Sequence, residues 1–337
     1  VVAARDGDLP ASEEDGVTFD LNRETVIRWA PLLVLITLVI LITAINPAFL
    51  TQRNFARIAI AAAPAVMVAI GVTFIIIMGS IDLSMEGAIS LSAVLFCSAY
   101  VYLGGTLAAG GWLAIPLILV VGALFGLVNG LVHVRLRIPS FMASLAMGFI
   151  ATGAVVLITG GDIVKIDDDT FRMLLTWRIA GFPLMIYVVA ALAVLAWFIQ
   201  AYTTLGRNFY AVGGGEELAH ASGLDVRRVR VLGFMVAGVF YAVAGILQVA
   251  KLGQAESVTG ANFMFISITS VVVGGVALWG GIGGVWNAVI GVIIVNVINN
   301  GMIVIGLPDY LQDGMLGFLV IVAVILSTDR RSVSFVK

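Results

Sequence analysis

GRNFYAVGGGEELAHASGLDVRRVR, from Gly206 to Arg230, is a long polar interruption in a chain that otherwise reads as built for lipid. Three glycines (Gly213, Gly214 and Gly215) precede Glu216, Glu217, Leu218, Ala219, His220, Ala221 and Ser222, and Gly223 closes the run. The pattern predicts a short helix. Two carboxylates in its first turn suit the positive end of the helix dipole, and a glycine just past its end suits a left-handed cap. A helix of about two turns is marginal alone in water. It therefore either rests on its own protein between two spans or docks on a partner, and the local signals leave both readings open.

On either side of this stretch the composition sets the fold class. Of 337 residues, 61% are hydrophobic and 11% charged, with 38 glycines and a mean hydropathy of +1.11. Apolar runs near 20 residues recur, the length that crosses about 30 Å of hydrocarbon at 1.5 Å per residue. The expected fold is an all-α polytopic membrane protein of about ten transmembrane helices. A transmembrane barrel would instead show alternating runs of about ten residues. Cys97 is the one cysteine, so no intrachain disulfide forms. None of the three lysines (Lys165, Lys251 and Lys337) stands in a GxxxxGK[ST] context. His133 and His220 have no second ligand at metal spacing. The chain thus carries no catalytic, cofactor or metal motif; the net charge of −2 says nothing about partners, and no nucleic-acid partner is expected.

Residues 1–28 are acid-rich and read as a polar tail, and 331–337 as a second one, around a membrane domain at 29–330. Spans are expected near 29–46, 58–79, 87–103, 112–133, 139–159, 183–202, 231–250, 264–282, 285–305 and 310–327. With both termini cytoplasmic, Arg5, Arg23, Arg28, Arg135, Arg137, Arg207, Arg227, Arg228, Arg230, Arg330, Arg331 and Lys337 fall inside. Arg53, Arg57, Lys165, Arg172, Arg178 and Lys251 fall outside. The excess inside favours this orientation, which makes the polar stretch at 206–230 cytoplasmic.

Gly122, Gly126 and Gly130 recur every four residues and offer a smooth ridge to a neighbouring helix. A faint internal repeat is also present. Asn129-Gly130 before Ile138-Pro139 is echoed by Asn300-Gly301 before Leu307-Pro308, and IDLSMEG at Ile81–Gly87 by AESVTG at Ala255–Gly260. Five spans separate the copies, so the two halves would run in opposite directions, as transporters often do.

Ionisable or polar groups at membrane depth are costly and mark candidate pathways. Asp82 and Glu86, with Ser84, flank a glycine and serine break. They line a polar path or lie at the water interface. Asn129 and Asn300 read as pathway groups or interhelical glue, and Phe263 as a candidate ring to stack on a ligand. The loop from Gly160 to Gly181, with four aspartates and three basic residues, is the longest external segment expected and a landing place for a delivery protein.

Four blocks carry a resemblance: GVTFIIIMGSIDLS (Gly71–Ser84), NGLVHVRLRIPSF (Asn129–Phe141), TTLGRNFYAVGGGEELAHASGL (Thr203–Leu224) and VVVGGVALWGGIGG (Val271–Gly284). From about Asn46 to Ser327 the chain resembles the permease subunit of ribose-type ATP-binding cassette importers, which carry monosaccharides and related small polyols. The resemblance implies a bacterial inner-membrane location, a permease dimer formed with itself or a sister chain, a cytoplasmic ATPase that consumes the ATP, and an extracytoplasmic sugar-binding protein. It implies that Gly214, Glu216, Glu217, Ser222 and Gly223, with Gly215 and His220 in the same segment, dock on the ATPase, and that Asp82 and Ser84 belong to the family's IDLS. Departures occur at Gly215, where the family often has asparagine, at Glu86, where it has glycine, and after Phe263, where Met264-Phe265 stand in place of acidic residues. The rival readings are an ion-coupled secondary transporter, with Asp82 as its ion site, and an intramembrane enzyme, for which the histidines lack catalytic spacing.

Overall fold

The structure, a computed structural model, describes residues 17–308 together with 311, 314, 315, 317, 318 and 321, with side chains from residue 30 onward. The expected span at 310–327 falls mostly outside them, as do residues 1–16 and 331–337.

Twelve helices are described: α1 (Val17–Ile45), α2 (Gln52–Ile77), α3 (Met85–Tyr102), α4 (Ala114–Leu136), α5 (Ser140–Thr159), α6 (Asp169–Thr176), α7 (Leu184–Tyr202), α8 (Thr204–Gly214), α9 (Glu216–Ala221), α10 (Val226–Leu252), α11 (Phe263–Val273) and α12 (Val285–Ile305). Of these, α2, α3, α4, α5, α7, α10 and α12 are long and apolar enough to cross a membrane, while Ala30–Ile45 of α1 and Phe263–Val273 are shorter apolar helices. The chain is an all-α polytopic membrane protein. α1 begins within the stretch expected as a polar tail.

One expected span differs in kind. The run 264–282 is apolar enough for a single helix, yet α11 stops at Val273. Gly275, Gly280, Gly281 and Gly283 adopt φ of 91°, 99°, 73° and 105°, a region that side chains with a Cβ rarely enter. Hydropathy sees Val276, Ala277, Leu278, Trp279 and Ile282; the backbone obeys the glycines between them.

The core is built around α2, which is buried along nearly its whole length, whereas α7 shows most of its surface outward. The glycine ridge of α4 does what its spacing predicts. Gly122 meets the backbone of Gly238, Gly126 that of Phe234 and Gly130 that of Val231, so α4 and α10 lie in backbone contact and run antiparallel. α2 is also antiparallel to α10: Gly71 packs on Ala237 and Tyr241, and Met78 reaches Gly233. α12 is antiparallel to α2, with Asn300 against Asn54 and the Gly281 amide donating to the Ile77 carbonyl. α3 and α11 likewise pass in opposite directions, pairing Met85 with Ser267 and Ser90 with Gly260.

These directions gather the connections at two ends. One end holds the Ile138 turn, the segment at 203–225 and the loop at 274–284. At the other, β1 (Val164–Lys165) pairs antiparallel with β4 (Gln254–Ala255), and β2 (Arg178–Ile179) with β3 (Phe182–Pro183). There Gln52 also donates to the Ala180 carbonyl at 2.8 Å.

Candidate functional site

The short helix expected after the three glycines is α9; α8 precedes it, and α10 begins at Val226 within the same stretch. The Thr203 hydroxyl caps α8 through the Gly206 amide at 3.3 Å. Gly213 lies so close to the Ile77 carbonyl and the Gly281 amide that a Cβ there would collide with both. Gly215, extended at φ 168° and ψ 102°, then separates α8 from α9. Glu216 and Glu217 occupy the first turn of α9, and Gly223 closes it in the left-handed region at φ 85°. The Leu224 amide reaches back to the Ala219 carbonyl at 3.1 Å, which satisfies a carbonyl that the helix end would otherwise orphan.

Two contacts seat α9 on its own protein. Ala219 is buried, and Glu216 accepts from Arg230 of α10 at 2.7 Å. The opposite face is open: Glu217, His220 and Ser222 are exposed, and Leu218 is 74% exposed. The helix thus rests on its own bundle and still presents a free apolar and acidic tip. Gly214 has nothing within contact range of its missing Cβ.

The second cluster lies where the chain re-enters the bundle after α2. The extended run after Gly79 is held along α5, with the Ile81 amide donating to Ser140 at 3.0 Å and the Leu83 amide to Ser144 at 2.9 Å. Asp82 is buried, at 2% exposure. It accepts from the Ser84 amide at 2.8 Å, the Ser84 hydroxyl at 2.6 Å, the Tyr241 hydroxyl at 3.1 Å and, at the long end of the range, Asn129 Nδ2 at 3.5 Å. Asn129 Nδ2 also donates to Ser84 Oγ at 3.2 Å. Among the described residues no basic side chain pairs with Asp82, and its buried carboxyl group is satisfied by four donors instead.

Next to this knot two helices begin inside the bundle. Glu86, in the first turn of α3, accepts from the Met264 amide at 3.3 Å and so sits at the positive end of α11. Ser90 accepts from the Gly260 amide at 2.9 Å, and Phe263 is buried at the same crossing. The unpaired amides of α11 find partners on α3, which allows a helix start to be buried.

Of the sequence-predicted pathway residues, Asp82, Ser84 and Asn129 form one knot, and Glu86 and Phe263 form the adjoining helix crossing. Asn300 is elsewhere, accepting from Asn54 Nδ2 at 2.7 Å between α12 and α2. The sequence reading missed Tyr241 and Arg230. A phenol within the apolar middle of α10 is the available signal for the first, since a buried tyrosine hydroxyl needs a partner; nothing local marks Arg230 among its neighbours. Among the described residues no three His, Cys, Asp or Glu side chains gather as a metal site requires.

The loop at 160–181 has its own anchor. Asp168 accepts from the Tyr100 hydroxyl, the Leu107 amide at 2.9 Å and the Thr170 amide at 2.8 Å. Burial opposes its ionisation, but these hydrogen bonds outweigh it and hold the carboxyl below its ordinary value.

The sequence matches the family model described as branched-chain amino acid transport system / permease component over residues 54–324. It is similar to the ribose import permease protein RbsC of Haemophilus influenzae, 29% identical over 295 residues that span 86% of this chain and 90% of that one. It is also similar to the galactose/methyl galactoside import permease protein MglC of the same organism, 32% identical over 329 residues (94% and 97%). A third relative is the D-allose transport system permease protein AlsC of Escherichia coli K12, 31% identical over 322 residues (94% and 95%). No solved structure matches.

Proposed function

The chain belongs to that family of permease components, and from this membership we propose that it is the transmembrane subunit of an ATP-driven importer for a monosaccharide or related small polyol. The relatives are named for ribose, galactose and allose, which supports the sugar class and leaves the particular sugar open. A separate cytoplasmic ATPase drives the cycle, an extracytoplasmic binding protein delivers the sugar to the loop at 160–181, and two permease copies flank the path.

One observation carries the coupling role: α9 projects a free tip while its base is locked to the bundle. Gly213 presses on Ile77 and Gly281, and Ile77 leads within a few residues to Asp82. A displacement of α9 by a partner therefore has a continuous backbone route to the buried knot. Glu217, Leu218, His220 and Ser222 form the docking face; Glu216 orients it through Arg230, and Gly214, Gly215 and Gly223 set its angle.

The packing supports an inverted repeat. α4 lies on α10 as α12 lies on α2, and α3 crosses α10 as α11 crosses α2, with the equivalent helices antiparallel. The reading takes ten spans in all, an odd number of them between the copies, with both termini cytoplasmic. In this arrangement Asp82, Ser84, Glu86, Asn129 and Phe263 lie where two broken helices meet, which is where such folds place substrate sites.

The test is reconstitution of the chain with its ATPase and sugar-loaded binding protein in proteoliposomes. ATP-dependent uptake that disappears with Glu217→Lys is the expected result. Accumulation under an ion gradient without the ATPase contradicts the reading and favours the secondary transporter.

A further inference from the structure

At the same end of α10 as α9, a cleft of about 480 Å³ opens between α4 and α10. Four guanidinium side chains stand at its mouth: Arg135 and Arg137 from the end of α4, Arg227 and Arg228 from the start of α10. All four are exposed. Among the described residues the one ion pair is Arg230 with Glu216, so no carboxylate bridges any of the four. Asp225, the nearest acid in sequence, is engaged in capping α10 through the Arg228 amide at 3.1 Å.

Below the arginines the lining turns apolar: Leu127, Leu131, Leu232 and Met235, all half-buried. Leu127 lies roughly 12 Å from Arg135 along α4 at 1.5 Å of rise per residue, close to one leaflet's share of a hydrocarbon core about 30 Å thick. Further along α4, Gly122 and Gly126 lie in antiparallel backbone contact with α10. The cleft is thus cationic at the helix ends and hydrocarbon-like within the span. Its ligand must be anionic at one end and apolar at the other.

We propose that this cleft binds an anionic phospholipid, its phosphodiester held by Arg135, Arg137, Arg227 and Arg228 and an acyl chain lying between α4 and α10. Guanidinium groups pair with phosphate oxygens in a fork geometry, and basic pockets between transmembrane helices suit lipid headgroups. A protein partner would satisfy the arginines but leave the apolar slot unused, which is why the lipid is the better occupant. Because the site includes Arg227 and Arg228 in the first turn of α10, close in sequence to Arg230, which pairs with Glu216, the bound lipid would brace the base of α9.

The experiment uses the purified full-length chain in detergent, with lipid retention read by native mass spectrometry and thermal midpoint by fluorescence. Phosphatidylglycerol is expected to be retained and to raise the midpoint by several degrees over phosphatidylcholine. The R135Q/R137Q/R227Q/R228Q variant should lose this preference, while R53Q/R57Q, at the opposite end, keeps it. Equal retention of the two lipids by the unaltered chain overturns the proposal. So does displacement by inorganic phosphate, which would mark a free-anion site. Unchanged retention by the quadruple variant together with loss of ATPase binding would assign the arginines to the protein partner instead and also overturn it.

Discussion

The α9 stub and the Asp82 knot are both polar breaks in a chain made for lipid, and they differ in how their polar groups are satisfied. In the knot both carboxylate oxygens of Asp82 are occupied by protein donors and almost no surface reaches water. On α9 one carboxylate is paired and the remaining polar side chains face outward. The knot is therefore inseparable from the fold. The stub can be altered with little cost to the fold, so its consequences fall on what it touches.

The largest expected effect breaks the comparison at the stub. Glu216→Lys with Glu217→Lys should abolish stimulation of the ATPase while the thermal midpoint moves little, because a surface ion pair contributes about 0–1 kcal/mol. Normal stimulated turnover by this variant contradicts the docking role. At the knot the order reverses. Asp82→Ala leaves the Tyr241 hydroxyl and the Ser84 amide and hydroxyl without their acceptor in a buried site, at about 1–3 kcal/mol each, and should lower the midpoint before any transport assay is meaningful. Asp82→Asn keeps most of the shape, so it should fold and transport poorly; unaltered uptake would make the acid structural only.

Gly213→Ala sharpens the comparison by acting between the two regions. Its Cβ would enter the contact with Ile77, and overpacking of this kind costs about 1–3 kcal/mol. ATPase stimulation and sugar uptake should come apart, with turnover continuing and uptake falling; equal loss or retention of both would break the proposed route.

The smallest effect is in the loop at 160–181, at the end of the bundle opposite α9. The native carboxyl of Asp168 ionises below its ordinary value, so its hydrogen bonds contribute fully above the unfolded-state value of about 3.9. That contribution is lost as the pH falls through the lower native one. Hydrogen exchange across 160–176 should quicken in that acidic window and not at neutral pH, and Asp168→Asn should flatten the dependence.

Much of this was legible in the sequence, for a physical reason. Hydropathy reports burial in lipid, so the span at 285–305 coincides with α12. A four-residue glycine spacing reports close approach, so the α4 ridge was readable before its partner was known. What hydropathy cannot see is a helix that stops within an apolar run, as α11 does, because that depends on backbone angles at single glycines. Tyr241 stayed hidden because a phenol adds little polarity to its helix, and its role exists only once Asp82 is opposite it. The seating of α8 on the bundle rests on Gly213 touching Ile77, a contact between residues far apart in sequence.

The side on which α9 lies decides the account most directly. Cys97 is the chain's one cysteine and is buried, so His220→Cys can be labelled with a membrane-impermeant maleimide against a silent background. The account predicts labelling in inside-out vesicles and none in intact cells, with ATPase bound to the vesicles protecting the site. Labelling of intact cells from the external medium would put α9 opposite to the motor and contradict it.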